Sequence, residues 1–317
     1  MNLKDLIKEG INTISSLYPE GEAREMVLAY LEHRIGTTRH THILNPDYVV
    51  SDDLVPEIRD AYRRMASGEP LQYVIGLAYF YGREFHVTPD VLIPRPETEI
   101  LCRTALSPLE VGGMQDMPPP ARGGVRAAGS TRGSSIPSTF NGVGRVLDLC
   151  TGSGCIAWTL ALEMPGAEVT GVDISDGALA VASGQDFADE MARTGAKAPQ
   201  FLKADVLGEP LTDLGIFDVL VSNPPYVMDS EKALMRSNVL DHEPHLALFV
   251  PDDYPLVFYR AVAVWALKLL KSGGRGVVEI NEALGEETAE IYRSAGFSHV
   301  HIIKDLNDKD RFVAFIR

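Results

Sequence analysis

Asn223, Pro224, Pro225 and Tyr226 stand directly after the apolar run of "FDVLVS". The two prolines carry no backbone N–H and have fixed φ, so a sheet ladder cannot run through them, and the residue before them is pushed toward an extended conformation. A strand is therefore expected to stop at Asn223. The Asn223 side-chain oxygen and the Pro224 carbonyl are two acceptors on one rigid frame, and Tyr226 adds an aromatic face. Such a corner suits a planar nitrogen. The acceptors take its N–H groups, orient it and raise its electron density, while the ring stacks on the planar group and favours positive charge near its face. Amide and aromatic amino nitrogens are poor nucleophiles because their lone pairs are delocalised. Methyl transfer from a strong electrophile needs such a nitrogen held in line, with water excluded and no strong base, which fits a corner without His or Lys.

The electrophile follows from three earlier stretches. "VLDLCTGSGCIA" puts a glycine-rich turn after a strand and before a helix; Gly152 and Gly154 permit close backbone approach to a ligand, and the helix start offers free N–H groups. Glycine turns also serve packing alone. The next strand, "TGVDIS", brings Asp173 at about the 20-residue spacing at which a carboxylate meets ribose hydroxyls in nucleotide-binding α/β folds. There is no third glycine at dinucleotide spacing and no Gly-Lys-Ser/Thr phosphate cradle, so a nucleoside without phosphates fits best: S-adenosylmethionine. "LKADVL" then supplies Asp205 to accept from an adenine amino group or a nearby amide, and Val206 as an apolar neighbour of the ring. Taken alone, Asp205 would serve equally as a cap or turn residue.

These stretches need a sheet that delivers them to one edge. After Arg145, strands and helices alternate: "RVLDLC", a helix over about Cys155 to Glu163, "AEVTGVDIS", a helix over about Gly177 to Thr194, "PQFLKADVL" and "FDVLVSNPP". A helix over about Tyr254 to Leu270, "GGRGVVEIN", a helix over about Gly285 to Ala295, "HVHIIKDL" and "RFVAFIR" complete the chain. That order argues a doubly wound α/β sheet, and "NDKD" between the last two runs makes at least one closing strand antiparallel. Ligands in such sheets bind beyond the carboxyl ends of the strands.

Ahead of this lies a helical region. Leu3, Leu6, Ile7, Gly10, Ile11 and Ile14 fall at helical spacing, "GEAREMVLAYLEHRIG" closes on Gly36, and "VSDDLVPEIRDAYRRMASGEP" starts with Ser51 or Asp52 as N-cap and stops at Gly68 and Pro70. Aromatic and β-branched enrichment from Leu71 to Ile93 reads as a β-hairpin turning at Gly82-Arg83. Residues 106–144 are rich in Pro, Gly, Ser and Ala; they bury too little surface to offset ordering entropy and are expected to form a disordered linker. The expected domains are 1–73 helical, 74–105 hairpin connector and first helix, 106–144 linker, and 145–317 catalytic.

Composition narrows the partners. The net charge is −15, and both 1–105 (11 basic, 16 acidic) and 146–317 (14 basic, 26 acidic) are acidic, which opposes general attraction to phosphate backbones. No run approaches the roughly 20 apolar residues of a membrane span, and "MNLKDLIKEG" lacks the order of a signal peptide. A cytoplasmic protein is expected, with Cys102, Cys150 and Cys155 reduced and no zinc spacing among them.

Together, "DLCTGSGCIA", "GVDIS" and "SNPPYV" resemble class I S-adenosylmethionine-dependent methyltransferases acting on planar amino groups. Adding "GEPLQYVIG", "FYGREFHVTPDVLIPRPETE" and "EPHLAL", the chain resembles the HemK/PrmC family, the protein-(glutamine-N5) methyltransferases of peptide chain release factors. The resemblance implies a Rossmann-like, seven-stranded mixed sheet with a small all-helical N-terminal domain that reads the release factor. It implies cofactor contacts from Cys150, Thr151, Gly152, Ser153, Gly154, Asp173, Asp205, Val206 and Asn223. Asn223, Pro224, Pro225 and Tyr226 are implied to grip the glutamine of a Gly-Gly-Gln loop, with Asn223, Pro224 and Tyr226 catalytic. No metal, membrane or direct nucleic-acid contact is expected, and the protein is expected to be a monomer. Two features depart from the family: Cys150 stands where glycine is usual, and the linker is long.

"RPETE" has two readings. Pro96, Glu97 and Glu99 suit a helix start, and they equally suit the cofactor mouth or a domain junction. His242, Glu243 and His245 read as substrate-loop structure or, less simply, a metal cluster; Trp158 and Trp265 read as core. A nucleic-acid amino methyltransferase, acting at adenine N6 or guanine N2, is the alternative function.

Overall fold

A computed structural model describes residues 1–107 and 144–317. The Pro/Gly/Ser-rich linker expected over 106–144 therefore falls, from 108 to 143, outside the described residues.

The N-terminal region is helical, as its periodicity dictates. α1 (Leu3–Ile14), capped by the Asn2 side chain, and α2 (Glu20–Ile35), ended by left-handed Gly36, pack with α3 (Thr41–Leu44), α4 (Val55–Ala66) and α5 (Leu71–Ile75). Leu6, Ile14, Val27, Leu31, Ile58 and Tyr62 fill their shared core. Gly10 is required where α1 meets α4, because a Cβ there would lie 2.6 Å from the Tyr62 ring. α4 begins later than its expected caps: Leu54 is the N-cap, and the Ser51 hydroxyl bonds Asp53 instead. Pro56 sits in the first turn, where its missing N–H costs nothing, and this sets the helix start.

β1 (Leu77–Phe80) and β2 (Arg83–His86) form a hairpin within the expected span, shorter than Leu71 to Ile93 because Leu71–Ile75 is helical and ends at left-handed Gly76. Its loop is Tyr81-Gly82 rather than Gly82-Arg83. Both loop residues have positive φ (52° and 76°), as a tight two-residue hairpin demands. Helix α6 (Thr98–Leu106) follows.

The second region contains β3 (Arg145–Leu149), α7 (Cys155–Glu163), β4 (Glu168–Asp173), α8 (Asp176–Ser183), α9 (Ala188–Thr194), β5 (Gln200–Lys203) and β6 (Phe217–Ser222). A two-strand pairing of β7 (Val227–Met228) with β8 (Phe249–Val250) brackets α10 (Ser237–His242), and α11 (Val257–Leu269), β9 (Leu270–Glu279), α12 (Gly285–Ser294), β10 (Ser298–Lys304) and β11 (Asp310–Ile316) close the chain. The main sheet has seven strands in the order β10-β11-β9-β6-β3-β4-β5. β3, β4, β5, β6 and β9 run parallel, and β11 pairs antiparallel with β9 and β10. The chain crosses from one half of the sheet to the other between β3 and β6, the switch point where α/β sheets open a crevice.

Alternate residues of the central strands face opposite layers, the period of two that a buried sheet imposes. Val146, Val219 and Val221 meet α6 and α7. Leu147, Leu149 and Leu220 meet α11 and α12. Trp158 and Trp265 are buried, one in each layer, and each indole also donates a hydrogen bond, to Ala182 O (2.8 Å) and Val206 O (3.0 Å).

The single helix expected over Gly177 to Thr194 is two. It breaks at Gly184, and the side chain of Gln185 turns inward to donate to His86 O (2.9 Å) and Ser153 O (3.1 Å) while accepting from His86 N (2.8 Å). One buried amide thus ties the hairpin to the glycine-rich turn. Val87, Val91 and Ile93 complete the tie by packing on Ala178 and Val181 of α8. The hairpin and its following segment are held on the sheet domain irrespective of the linker. No helix among the described residues is long and apolar enough to cross a membrane.

Candidate active site

A pocket opens beyond the carboxyl ends of β3, β4, β5 and β6. The turn between β3 and α7 forms its floor. Cys150 (φ 60°), Gly152 (φ 53°) and Gly154 (φ 77°) all take left-handed backbone, so three residues reverse the chain within one turn. Nothing lies within 4 Å of a Cβ built on Gly152, which leaves its backbone open to a ligand. Beneath the turn, buried Asp148 accepts from the Thr151 hydroxyl (2.6 Å). Burial pushes the Asp148 carboxyl up to about 7, against the lowering effect of that hydrogen bond.

Asp173, at the end of β4, accepts from Gly152 N (2.9 Å) and from Ser175 N (3.0 Å), one on each oxygen. Each oxygen keeps a further lone pair for a ligand hydroxyl. At the end of β5, Asp205 accepts from Leu207 N (2.9 Å), and the carbonyl of buried Val206 is held by Trp265. Cys150, Thr151, Gly152, Ser153, Asp173, Asp205, Val206, Asn223 and Pro225 all line the pocket. Gly154, Pro224 and Tyr226 do not. Gly154 caps α7 instead, close to Trp158 and Phe201.

β6 ends at Ser222, one residue before the expected stop, because the Ser222 hydroxyl donates to Leu149 O (2.8 Å) and pins the strand to β3. Asn223 then donates its Nδ2 to the Thr98 hydroxyl (3.4 Å), and Thr98 donates to Glu279 Oε2 (2.7 Å). The Tyr226 hydroxyl donates to the other oxygen of the same carboxylate (3.1 Å), and the ring packs half-buried against the core. Glu279 is 1% exposed; burial raises its carboxyl to about 7, with the hydrogen bonds from Thr98 and Tyr226 opposing.

Of "RPETE", the residues at the pocket are Arg95 and Thr98. The two glutamates serve the helix start and the connector: Glu97 is the N-cap of α6, and Glu99 accepts from Tyr81 N (2.9 Å) and Arg103 (3.2 Å). Glu243 accepts from Arg95 (2.6 Å) and Ile93 N (3.2 Å), and the His245 ring bonds Leu240 O (2.8 Å). Among the described residues no group of three His, Cys, Asp or Glu side chains is placed to hold a metal ion.

Several lining residues escaped the sequence reading: Asp90, Ile174, Leu207 and Phe258, while Arg95 and Thr98 were singled out only as part of "RPETE". Ile174 directly follows Asp173, and Leu207 follows the Asp205-Val206 pair already singled out, so the strand-end position was their signal. The donor set fits S-adenosylmethionine. Asp90, Asp173 and Asp205 oppose a single guanidinium, Arg95, already paired with Glu243. That balance repels phosphates and suits ribose hydroxyls on a ligand bearing positive charge, with Ile174, Val206 and Leu207 as apolar contacts for a flat base.

Comparison with known proteins follows the same division. The family model "PrmC N-terminal domain" matches residues 5–76, and "Methyltransferase small domain" matches residues 134–245. The release factor glutamine methyltransferase of Bacteroides thetaiotaomicron is 35% identical over 301 residues, covering 95% of each chain. That of Flavobacterium psychrophilum is 31% identical over 315 residues, covering 99% of this chain and 98% of the relative. The catalytic domain of hMettl16, solved with an RNA hairpin, shares the fold at TM-score 0.50 and 14% identity, over 81% of this chain and 82% of that one.

Proposed function

The chain belongs to the release factor glutamine methyltransferase family, and we propose that it transfers a methyl group from S-adenosylmethionine to the side-chain amide nitrogen of the glutamine in a release factor's Gly-Gly-Gln motif. The observation that carries this reading is the convergence of Asn223 with Asp173, Asp205 and the 150–153 turn on one pocket.

Bound there, S-adenosylmethionine supplies an electrophilic methyl group on a sulfonium. Asp173 accepts from the ribose hydroxyls, and Asp205 with Val206 holds the adenine. Asn223 and the Pro224 carbonyl accept the two N–H groups of the substrate amide, fixing its plane and raising the electron density of its nitrogen. Tyr226, anchored through its hydroxyl on Glu279 and through its ring on the core, sets the angle of the corner. The surplus proton on the nitrogen acidifies once the methyl arrives and leaves to solvent, so no His or Lys is needed. Orientation and water exclusion supply the rate.

The helical region, 1–73, would read the release factor. We place the activity in the cytoplasm, with the protein a monomer, in keeping with three free cysteines. The acidic charge argues against a nucleic-acid substrate. The test mixes the protein and methyl-labelled S-adenosylmethionine with a release factor, the same factor with its Gly-Gly-Gln glutamine replaced by alanine, or bulk RNA and DNA. Label on the intact factor alone is expected; label confined to nucleic acid overturns the reading.

A further inference from the structure

We infer that Thr98 and Glu279 are positioning residues that fix which end of the Asn223 side-chain amide faces the substrate. This rests on the function proposed above. An asparagine amide has an accepting end and a donating end of nearly equal shape, so packing alone does not choose between them. The choice matters here. A substrate amide nitrogen offers N–H groups, and of the two ends of the Asn223 amide only the oxygen can receive one; a flipped Asn223 would set donor against donor.

The hydrogen-bond chain makes the choice. Ionised Glu279 has acceptors only, and it receives hydroxyl hydrogens on both oxygens, from Thr98 at 2.7 Å and Tyr226 at 3.1 Å. Desolvation holds the Tyr226 phenol well above its usual range, so it remains a donor. Thr98 has one hydrogen and spends it on Glu279, so only its lone pairs are left for Asn223. The atom of Asn223 that meets Thr98 is therefore Nδ2, at 3.4 Å, and Oδ1 is turned away from it. The three residues come from α6, the turn directly after β6, and β9, and the Thr98–Glu279 end of the chain is buried.

Replacing Glu279 with Gln keeps the shape and adds a donor. If that donor meets Thr98, the Thr98 hydrogen is released toward Asn223 and the amide is free to flip. Thr98→Val removes the relay atom with little change in volume, while Thr98→Ser keeps it.

The experiment uses the full-length protein at pH 8, above the value of about 7 to which burial raises the Glu279 carboxyl. It measures S-adenosylmethionine affinity by calorimetry, kcat and KM with a full-length release factor, and the Asn223 side-chain amide resonances by nitrogen-15 NMR, assigned by their loss in Asn223→Asp. For Thr98→Val and Glu279→Gln, kcat should fall at least about 10-fold with KM and cofactor affinity changed less than about 3-fold, the signature of a contact felt in the transition state. The Asn223 resonances should shift in both, and Thr98→Ser should restore kcat and resonance together. An unchanged kcat, an unshifted resonance or failure of the serine variant to restore either overturns the assignment. So does loss of cofactor binding in both isosteric variants, which would make the pair a structural part of the pocket. Should the native protein leave the release factor unmethylated, the proposed substrate fails, and the resonances alone still decide the Thr98 and Glu279 relationship.

Discussion

Arg95 and Glu243, 148 residues apart, form an ion pair at 2.6 Å at the edge of the pocket, with the Glu243 side chain only 1% exposed and that of Arg95 34%. The pair joins the segment before α6 to the loop that follows the Asn223-Pro224-Pro225-Tyr226 corner. Both "RPETE" and "HEPH" therefore act as halves of one junction rather than as separate motifs.

Glu243→Ala should open that junction. It leaves the Arg95 guanidinium and the Ile93 N–H without their acceptor, and the cost is about 1–3 kcal/mol, discounted for the partial exposure of Arg95. Because Arg95, Pro244 and Leu246 line the pocket, S-adenosylmethionine affinity should weaken along with stability. Denaturant unfolding and calorimetry on the same variant check both.

Asn223→Ala should lower kcat by roughly 100-fold or more, as removal of a transition-state hydrogen-bond partner does. Cofactor affinity should survive in large part, because Asp173, Asp205 and the 150–153 turn remain. Turnover equal to that of the native protein would refute the role given to this side chain.

Cys150 occupies a left-handed backbone (φ 60°), which costs a non-glycine residue about 1–2 kcal/mol. Cys150→Gly should remove that cost and lose some packing, for a net change within about 1 kcal/mol. Cys150→Val, β-branched at the same φ, should lose at least about 1 kcal/mol more than the glycine variant. Equal unfolding free energies for the two would contradict the strain.

Asp148 gives a pH dependence whose sign is fixed by its raised carboxyl, about 7 against an ordinary 3.8. Protonated Asp148 is the form the fold prefers, so its contribution is complete below about pH 4 and is lost as pH rises through about 7. Asp148→Asn cannot ionise. Relative to the native protein, its unfolding temperature should therefore look better at pH 8.5 than at pH 5; a difference that does not change with pH would contradict the burial argument.

Much of this was legible in the sequence because it is local. The glycine turn, Asp173, Asp205 and Asn223 each end a strand, and a strand's period of two and its terminating residues are written within a few positions. The doubly wound sheet and its antiparallel closing strand followed from alternation and one hairpin-type connection, whereas the seven-stranded mixed sheet came from the family resemblance. What stayed hidden depends on distant partners. Thr98 meets Glu279 across 181 residues, and no spacing rule reaches that far. The break in the helix after Ser183 was missed for the same reason: Gly184 alone is tolerated in a helix, and it is the inward turn of Gln185 toward His86 that ends it. Tyr226 was expected at the substrate, and its hydroxyl is engaged on a carboxylate that sequence distance concealed.

The most direct measurement is mass spectrometry of a release factor incubated with the protein and methyl-labelled S-adenosylmethionine, digested and sequenced through its Gly-Gly-Gln peptide. The account predicts one labelled methyl on the side-chain nitrogen of that glutamine, absent with Asn223→Ala. A labelled methyl elsewhere on the factor, or an unmodified glutamine beside labelled nucleic acid, would contradict it.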